Sequence, residues 1–88
     1  MDVRRTIGWN LRRLRVDRGL SQERLALEAE IDRSYVGRVE RGRENVTVAT
    51  LEALARVLSV NVSELFADVG SNGGRPPSLR SGRKRKVV

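Results

Sequence analysis

Cysteine and histidine are both missing from this chain of 88 residues. Without them there is no disulfide, no thiolate nucleophile, no imidazole acid or base, and none of the usual zinc ligand sets. Most enzyme classes go with these absences. Carboxylate chemistry would need paired acids in a pocket, whereas nearly every Asp and Glu stands at a helical position beside an arginine, as on a solvated face. No run of about 18 apolar residues is present, so no membrane span is expected. The opening MDVRRTIGWN carries charges where a signal peptide needs an apolar run, so export by that route is not expected either. The expectation is a cytoplasmic protein with no catalytic residue, no metal and no cofactor.

Positive charge is plentiful and unevenly placed, with a net charge of +7. Residues 1 to 69 hold twelve arginines against all eleven acids, whereas residues 70 to 88 hold the other six cations and no acid. An excess of this kind suits a polyanion, either nucleic acid or an anionic membrane surface, and the folded part must decide which. An apolar content of 39% is enough for one small helical core and leaves no length for a second domain of ordinary size.

Helical periodicity runs through the first two thirds. Val3, Ile7, Leu11 and Leu14 recur on one side of a first helix, with Arg4, Arg5, Arg12 and Arg13 elsewhere and Gly19 as a stop. Trp9 and Val16 lie off that face and are expected to be exposed, as a contact patch or as ordinary surface residues. Ser21 caps a short second helix carrying Leu25, Ala26 and Ala29, which ends near Glu30. Asp32 caps a third, from Arg33 to about Arg41, with Val36 and Val39 inward and Gly42 closing it. After the polar loop RGREN, Thr47 caps a fourth with Val48, Leu51, Leu54, Ala55 and Leu58 on one face, and Ser63 is placed to cap a short fifth with Leu65 and Phe66. The fold class expected is all-α, a compact five-helix domain over 1–69. From Gly70 the sequence GSNGGRPPSLRSGRKRKVV combines glycines, a proline pair and unopposed charge, the composition of a flexible basic tail over 70–88.

The second and third helices are short, joined by a tight turn, and the third carries arginines on its polar side. That is the sequence pattern of a helix-turn-helix, with Ala26 small enough for a close helix crossing and Ile31 apolar in the turn. An ordinary helical bundle would use the same core. The run from Leu11 to Phe66 also resembles the phage Cro and repressor type of helix-turn-helix family, often called Xre. Gly19-Leu20-Ser21-Gln22, Leu25-Ala26, Tyr35-Val36 and Val39-Glu40-Arg41-Gly42 carry the resemblance. It implies a phage-repressor-like domain that binds double-stranded DNA as a transcriptional regulator.

By that resemblance, Arg33, Ser34 and Arg38 occupy the positions of the third helix that face base edges in the major groove. Arginine donates two hydrogen bonds to guanine O6 and N7, so a G-containing half-site is expected, unless these side chains are ordinary solvated charges. Gln22, at the start of the second helix, matches a phosphate anchor or is simply a good first-turn residue. Tyr35 suits a phosphate or a thymine methyl, and Gly37 permits close approach. Arg41, Arg43 and Asn45 read as phosphate contacts. Arg15 and Glu40 match a structural ion pair that joins the first helix to the third. Glu30 and Ser59 stand where the family usually has glycine at a helix end, so left-handed backbone angles there would cost each site roughly 1 kcal/mol.

One such unit touches few base pairs, so a homodimer on a two-fold symmetric operator is expected, with the interface drawn from Val46, Val60, Val62, Leu65 and Phe66. The six tail cations either add phosphate contacts or keep the chain soluble. No ligand-binding domain follows the helices in this sequence, so no small-molecule effector is expected. The segment RVERGRENVTVATLE is similar to the controller proteins of restriction-modification systems, which regulate their own operons, and also fits a stand-alone phage-like repressor. An antitoxin or adaptor that kept the fold to bind a protein is the alternative, and arginines at the reading positions argue against it.

Overall fold

A computed structural model describes residues 2–69, so the tail expected over 70–88 lies outside the described residues. Capping side chains set where each helix begins. Asp2 Oδ1 accepts the backbone N–H of Arg5 at 3.1 Å and opens α1, Val3–Asp17. Ser21 Oγ accepts from Arg24 N at 2.9 Å ahead of α2, Gln22–Ala29. Asp32 Oδ1 accepts the backbone N–H and the hydroxyl of Ser34, at 2.9 and 3.0 Å, ahead of α3, Arg33–Glu40. Thr47 Oγ1 accepts from Thr50 N at 3.1 Å ahead of α4, Val48–Leu58. Ser21, Asp32 and Thr47 are the caps the sequence points to. The N–H of Arg5 holds the Asp2 carboxyl below its ordinary pKa, and the N–H and hydroxyl of Ser34 do the same for Asp32.

All four α-helices close alike, with a left-handed residue followed by a backbone N–H that reaches back five positions. Leu20 N donates to Arg15 O at 3.1 Å, Ile31 N to Ala26 O at 2.9 Å, Arg43 N to Arg38 O at 2.9 Å and Val60 N to Ala55 O at 3.0 Å. The left-handed residues are Gly19, Glu30, Gly42 and Ser59, with φ of 68°, 61°, 75° and 58°. Glycine takes these angles without penalty, whereas Glu30 and Ser59 hold a Cβ against the following carbonyl. Glu30→Gly and Ser59→Gly are therefore each expected to stabilise the fold by about 0.5–1 kcal/mol, after allowing for glycine's larger unfolded entropy. In thermal unfolding that is a rise of several degrees for a domain of this size, roughly 4–8 °C per kcal/mol. A fall in melting temperature at either site would show that the strain argument is wrong there.

The apolar faces meet in one core. α1 packs on α3 and on a turn over Val62–Phe66, α2 packs on α3 and α4, and α4 closes on that same turn. Leu11, Leu25, Val36, Leu54, Leu58 and Leu65 are wholly buried at its centre. Burying such side chains contributes about 1.5–3 kcal/mol each, which is what a domain this small depends on.

Four expectations are corrected. The fifth helix is a 3₁₀ turn, Val62–Phe66, flanked by Asn61 with no side-chain cap, so Ser63 does not open it. Its regular continuation is forestalled because Asn10, buried on α1, takes the Leu65 and Ala67 carbonyls through Nδ2 at 3.2 and 2.9 Å. Val3 and Val48 are 58% and 71% exposed, because each is the first residue of its helix and lies beyond the core. Trp9 is half-buried, while Val16 is exposed as the helical spacing implies. Gly37 is buried, and a Cβ there would meet only the far end of the Arg41 side chain, at 3.4 Å, an ordinary contact.

Candidate nucleic-acid interface

Everything that positions α3 is held from its rear. Val36 and Val39 fix it to the core, and Ile31 anchors the turn that precedes it. At its C-terminal end α1 crosses so closely that a Cβ on Gly8 would lie 2.3 Å from the Val39 carbonyl oxygen and 2.7 Å from that of Glu40. Only a residue without a side chain fits that crossing.

Beside the crossing lies a polar network of four partners. Arg15 Nε donates to Glu40 Oε2 at 2.6 Å and Nη2 donates to Oε1 at 3.1 Å, a two-pronged pair with side chains 13% and 5% exposed. Arg15 Nη1 donates to Leu20 O at 2.8 Å, and Gln22 Nε2 donates to Glu40 Oε1 at 3.0 Å. One buried carboxylate thus ties α1, the start of α2 and the end of α3 together. Gln22 has one amide hydrogen committed to Glu40 and a second for another acceptor.

On the other side of α3, Arg33 and Ser34 are exposed, and Arg38 is half-buried. Ser34 hydroxyl donates to Asp32, which spends its proton on the helix cap. Arg38 has two partners of its own: Nε donates to Glu44 Oε2 at 2.6 Å, and the guanidinium carbon stands 5.6 Å from the centre of the half-buried Tyr35 ring. Arg41, Arg43 and Asn45, in and beside the loop that follows, are exposed. The result is a series of arginines, Arg33, Arg38, Arg41 and Arg43, along α3 and the loop after it, with the carboxylates of Asp32 and Glu44 among them. An open depression lined by Ile31, Asp32, Tyr35, Arg38 and Thr50 lies alongside it.

The apolar residues expected to be shared between subunits divide. Leu65 is wholly buried in its own subunit's core, which removes it from that set. Val46, Val60 and Val62 are half-buried against the core, and Phe66 is 42% exposed. The sequence reading missed Ala53 and Val57, half-buried on the same flank of α4 as Thr50 at helical spacing. It also missed Gly8 and Glu44. A lone glycine between Ile7 and Leu11 is a signal of close approach, and a single carboxylate within RGREN is a signal of pairing, but neither names its partner.

Comparison with known proteins agrees with this geometry. Residues 11–65 match the family model described as helix-turn-helix, HTH_3. The chain is 43% identical over 65 residues to an uncharacterised HTH-type transcriptional regulator, y4dJ, of Sinorhizobium fredii, covering 74% of this chain and 84% of that one. It is 40% identical over 70 residues to the control protein C.SmaI of Serratia marcescens, covering 80% and 83% respectively. Among solved structures, the restriction-modification controller protein C.AhdI from Aeromonas hydrophila superposes with a TM-score of 0.70 at 48% identity, covering 72% of this chain and 96% of that one. No helix among the described residues is long and apolar enough to cross a membrane. The chain belongs to the helix-turn-helix family HTH_3, alongside the transcriptional regulators and control proteins it resembles.

Proposed function

We propose that this chain is a sequence-specific regulator of transcription that binds double-stranded DNA in the cytoplasm as a homodimer, on a two-fold symmetric operator. One observation carries the reading: α3 carries Arg33, Ser34 and Arg38 on the side away from the core, while the buried Arg15–Glu40–Gln22 network pins it from behind. A reading helix needs both, since a guanidinium selects guanine only if the backbone that carries it keeps one angle to the groove. Arg33, Ser34 and Arg38 read base edges. Gln22, Tyr35, Arg41, Arg43 and Asn45 contact the phosphate backbone and set the register. Val46, Ala53, Val57, Val60, Val62 and Phe66 supply the surface shared between subunits. The likeness to C.SmaI and C.AhdI supports a controller-type regulator of a restriction-modification operon, which a neighbouring methyltransferase and endonuclease gene pair would establish.

Selection of duplexes from a randomised pool tests the reading. The full chain is expected to enrich a two-fold symmetric, G-containing site and to sediment as a dimer at micromolar concentration. Arg38→Ala should then lose about 1–3 kcal/mol at that site while scarcely changing its affinity for unrelated duplexes. Recovery of no common sequence from the pool would refute base reading.

A further inference from the structure

We infer that Glu44 is the positioning residue for Arg38, and so helps set sequence specificity without touching a base itself. This rests on the reading of α3 as the base-reading helix. A carboxylate on the surface of a protein that binds a polyanion weakens that binding, so its place beside Arg38 calls for a compensating role. The geometry supplies one. A guanidinium has two edges that donate in pairs, the Nε–Nη side and the Nη1–Nη2 tip, and Glu44 takes the Nε proton of the side, at 2.6 Å. That leaves the terminal pair, Nη1 and Nη2, able to donate together to guanine O6 and N7. Tyr35 lies against the guanidinium, 5.6 Å from the Arg38 guanidinium carbon to the ring centre, and fixes the second orientational freedom.

The pair spans six residues across the end of α3, with side chains 43% and 25% exposed. It is exposed enough for Arg38 to meet a duplex and covered enough to hold one rotamer in its absence. A long side chain ordered before binding loses less entropy on binding, and it offers its donors in one direction only. Glu44 therefore trades total affinity for discrimination. It repels phosphates everywhere and assists only where a guanine meets Arg38.

The test measures dissociation constants by fluorescence anisotropy for the full chain and for Glu44→Ala, Glu44→Gln, Arg38→Ala and the Glu44→Ala/Arg38→Ala double variant. The duplexes are the one selected from a randomised pool and a scrambled version. Circular dichroism melts confirm that each variant is folded. Glu44→Ala and Glu44→Gln are expected to bind the scrambled duplex more tightly and to lower the ratio of selected to scrambled affinity about tenfold. In the Arg38→Ala background, Glu44→Ala should leave the ratio unchanged. If Glu44→Ala tightens both duplexes equally, the carboxylate is only a source of repulsion and the proposal is overturned, while base reading by α3 stands. If the parent chain selects no sequence at all, base reading falls and the role of Glu44 falls with it.

Discussion

Replacing Gly8 with alanine is expected to destabilise the domain by about 3 kcal/mol, well into the range where overpacked cores rearrange or fail to fold. Helix propensity alone gives the opposite sign, because alanine in a helix interior is about 1 kcal/mol better than glycine. The clash decides the outcome. A methyl group 2.3 Å from the Val39 carbonyl oxygen and 2.7 Å from that of Glu40 overlaps backbone, which has no rotamer to retreat into. α1 and α3 must separate, and the packing of the two helices on each other loosens with them. A domain of this size has a total stability of roughly 0.05–0.15 kcal/mol per residue, so the loss is a large share of the whole.

Gly37→Ala provides the control. Its Cβ meets the far end of the flexible Arg41 side chain at 3.4 Å, which can move aside. That variant is expected to remain as stable as the parent or to gain up to about 1 kcal/mol. Thermal unfolding of the two variants side by side measures the difference, and an unchanged melting temperature for Gly8→Ala would show that α1 does not press on the end of α3.

The contrast between these glycines shows what a sequence discloses. Helix starts were legible at Ser21, Asp32 and Thr47, and helix ends at Gly19 and Gly42, because a cap bonds its own next turn and needs no distant partner. The inward residues Ile7, Leu11, Leu25, Val36, Val39, Leu51 and Leu54 followed from periodicity, which is local as well. Asn10 stands in register with Ile7 and Leu11 on the buried face, yet besides the Thr6 carbonyl its acceptors are the carbonyls of Leu65 and Ala67, 55 and 57 residues away, and no local pattern couples them. The same holds for Gly8 against Val39. The 3₁₀ turn read as a helix for a related reason: Ser63 has capping chemistry, but the backbone from Val62 to Phe66 is shaped by Asn10 and by the burial of Leu65. At the candidate interface the residue types on α3 were legible, since they follow from spacing. That Arg38 is already paired with Glu44 was not, because the carboxylate comes from beyond the helix end.

Removing Glu40 should produce a loss as large as that at Gly8, by a different mechanism. Glu40→Ala strands the Arg15 guanidinium with only the Leu20 carbonyl as acceptor and leaves the inward amide hydrogen of Gln22 without one, in a setting where Glu40 itself is 5% exposed. Breaking a covered pair from one side costs about 3–5 kcal/mol, because an uncompensated charge stays behind. Taking away both charges costs less, so Arg15→Met/Glu40→Met is expected to be more stable than Glu40→Ala, despite the greater number of changes. Chemical denaturation reads this directly, as a midpoint that falls sharply for the single variant and partly recovers for the double. The pair is shielded, so the loss in Glu40→Ala should persist when ionic strength is raised, unlike a surface pair, which salt screens within about 10 Å at 0.1 M. The network also holds the start of α2 and the end of α3 at one mutual angle, so the double variant separates fold from function. It should melt well above Glu40→Ala while still binding the selected duplex more weakly than the parent, since two methionines fill space without fixing direction. If Glu40→Ala melts with the parent, the network does not brace α3 and the reading helix must take its angle from the core alone.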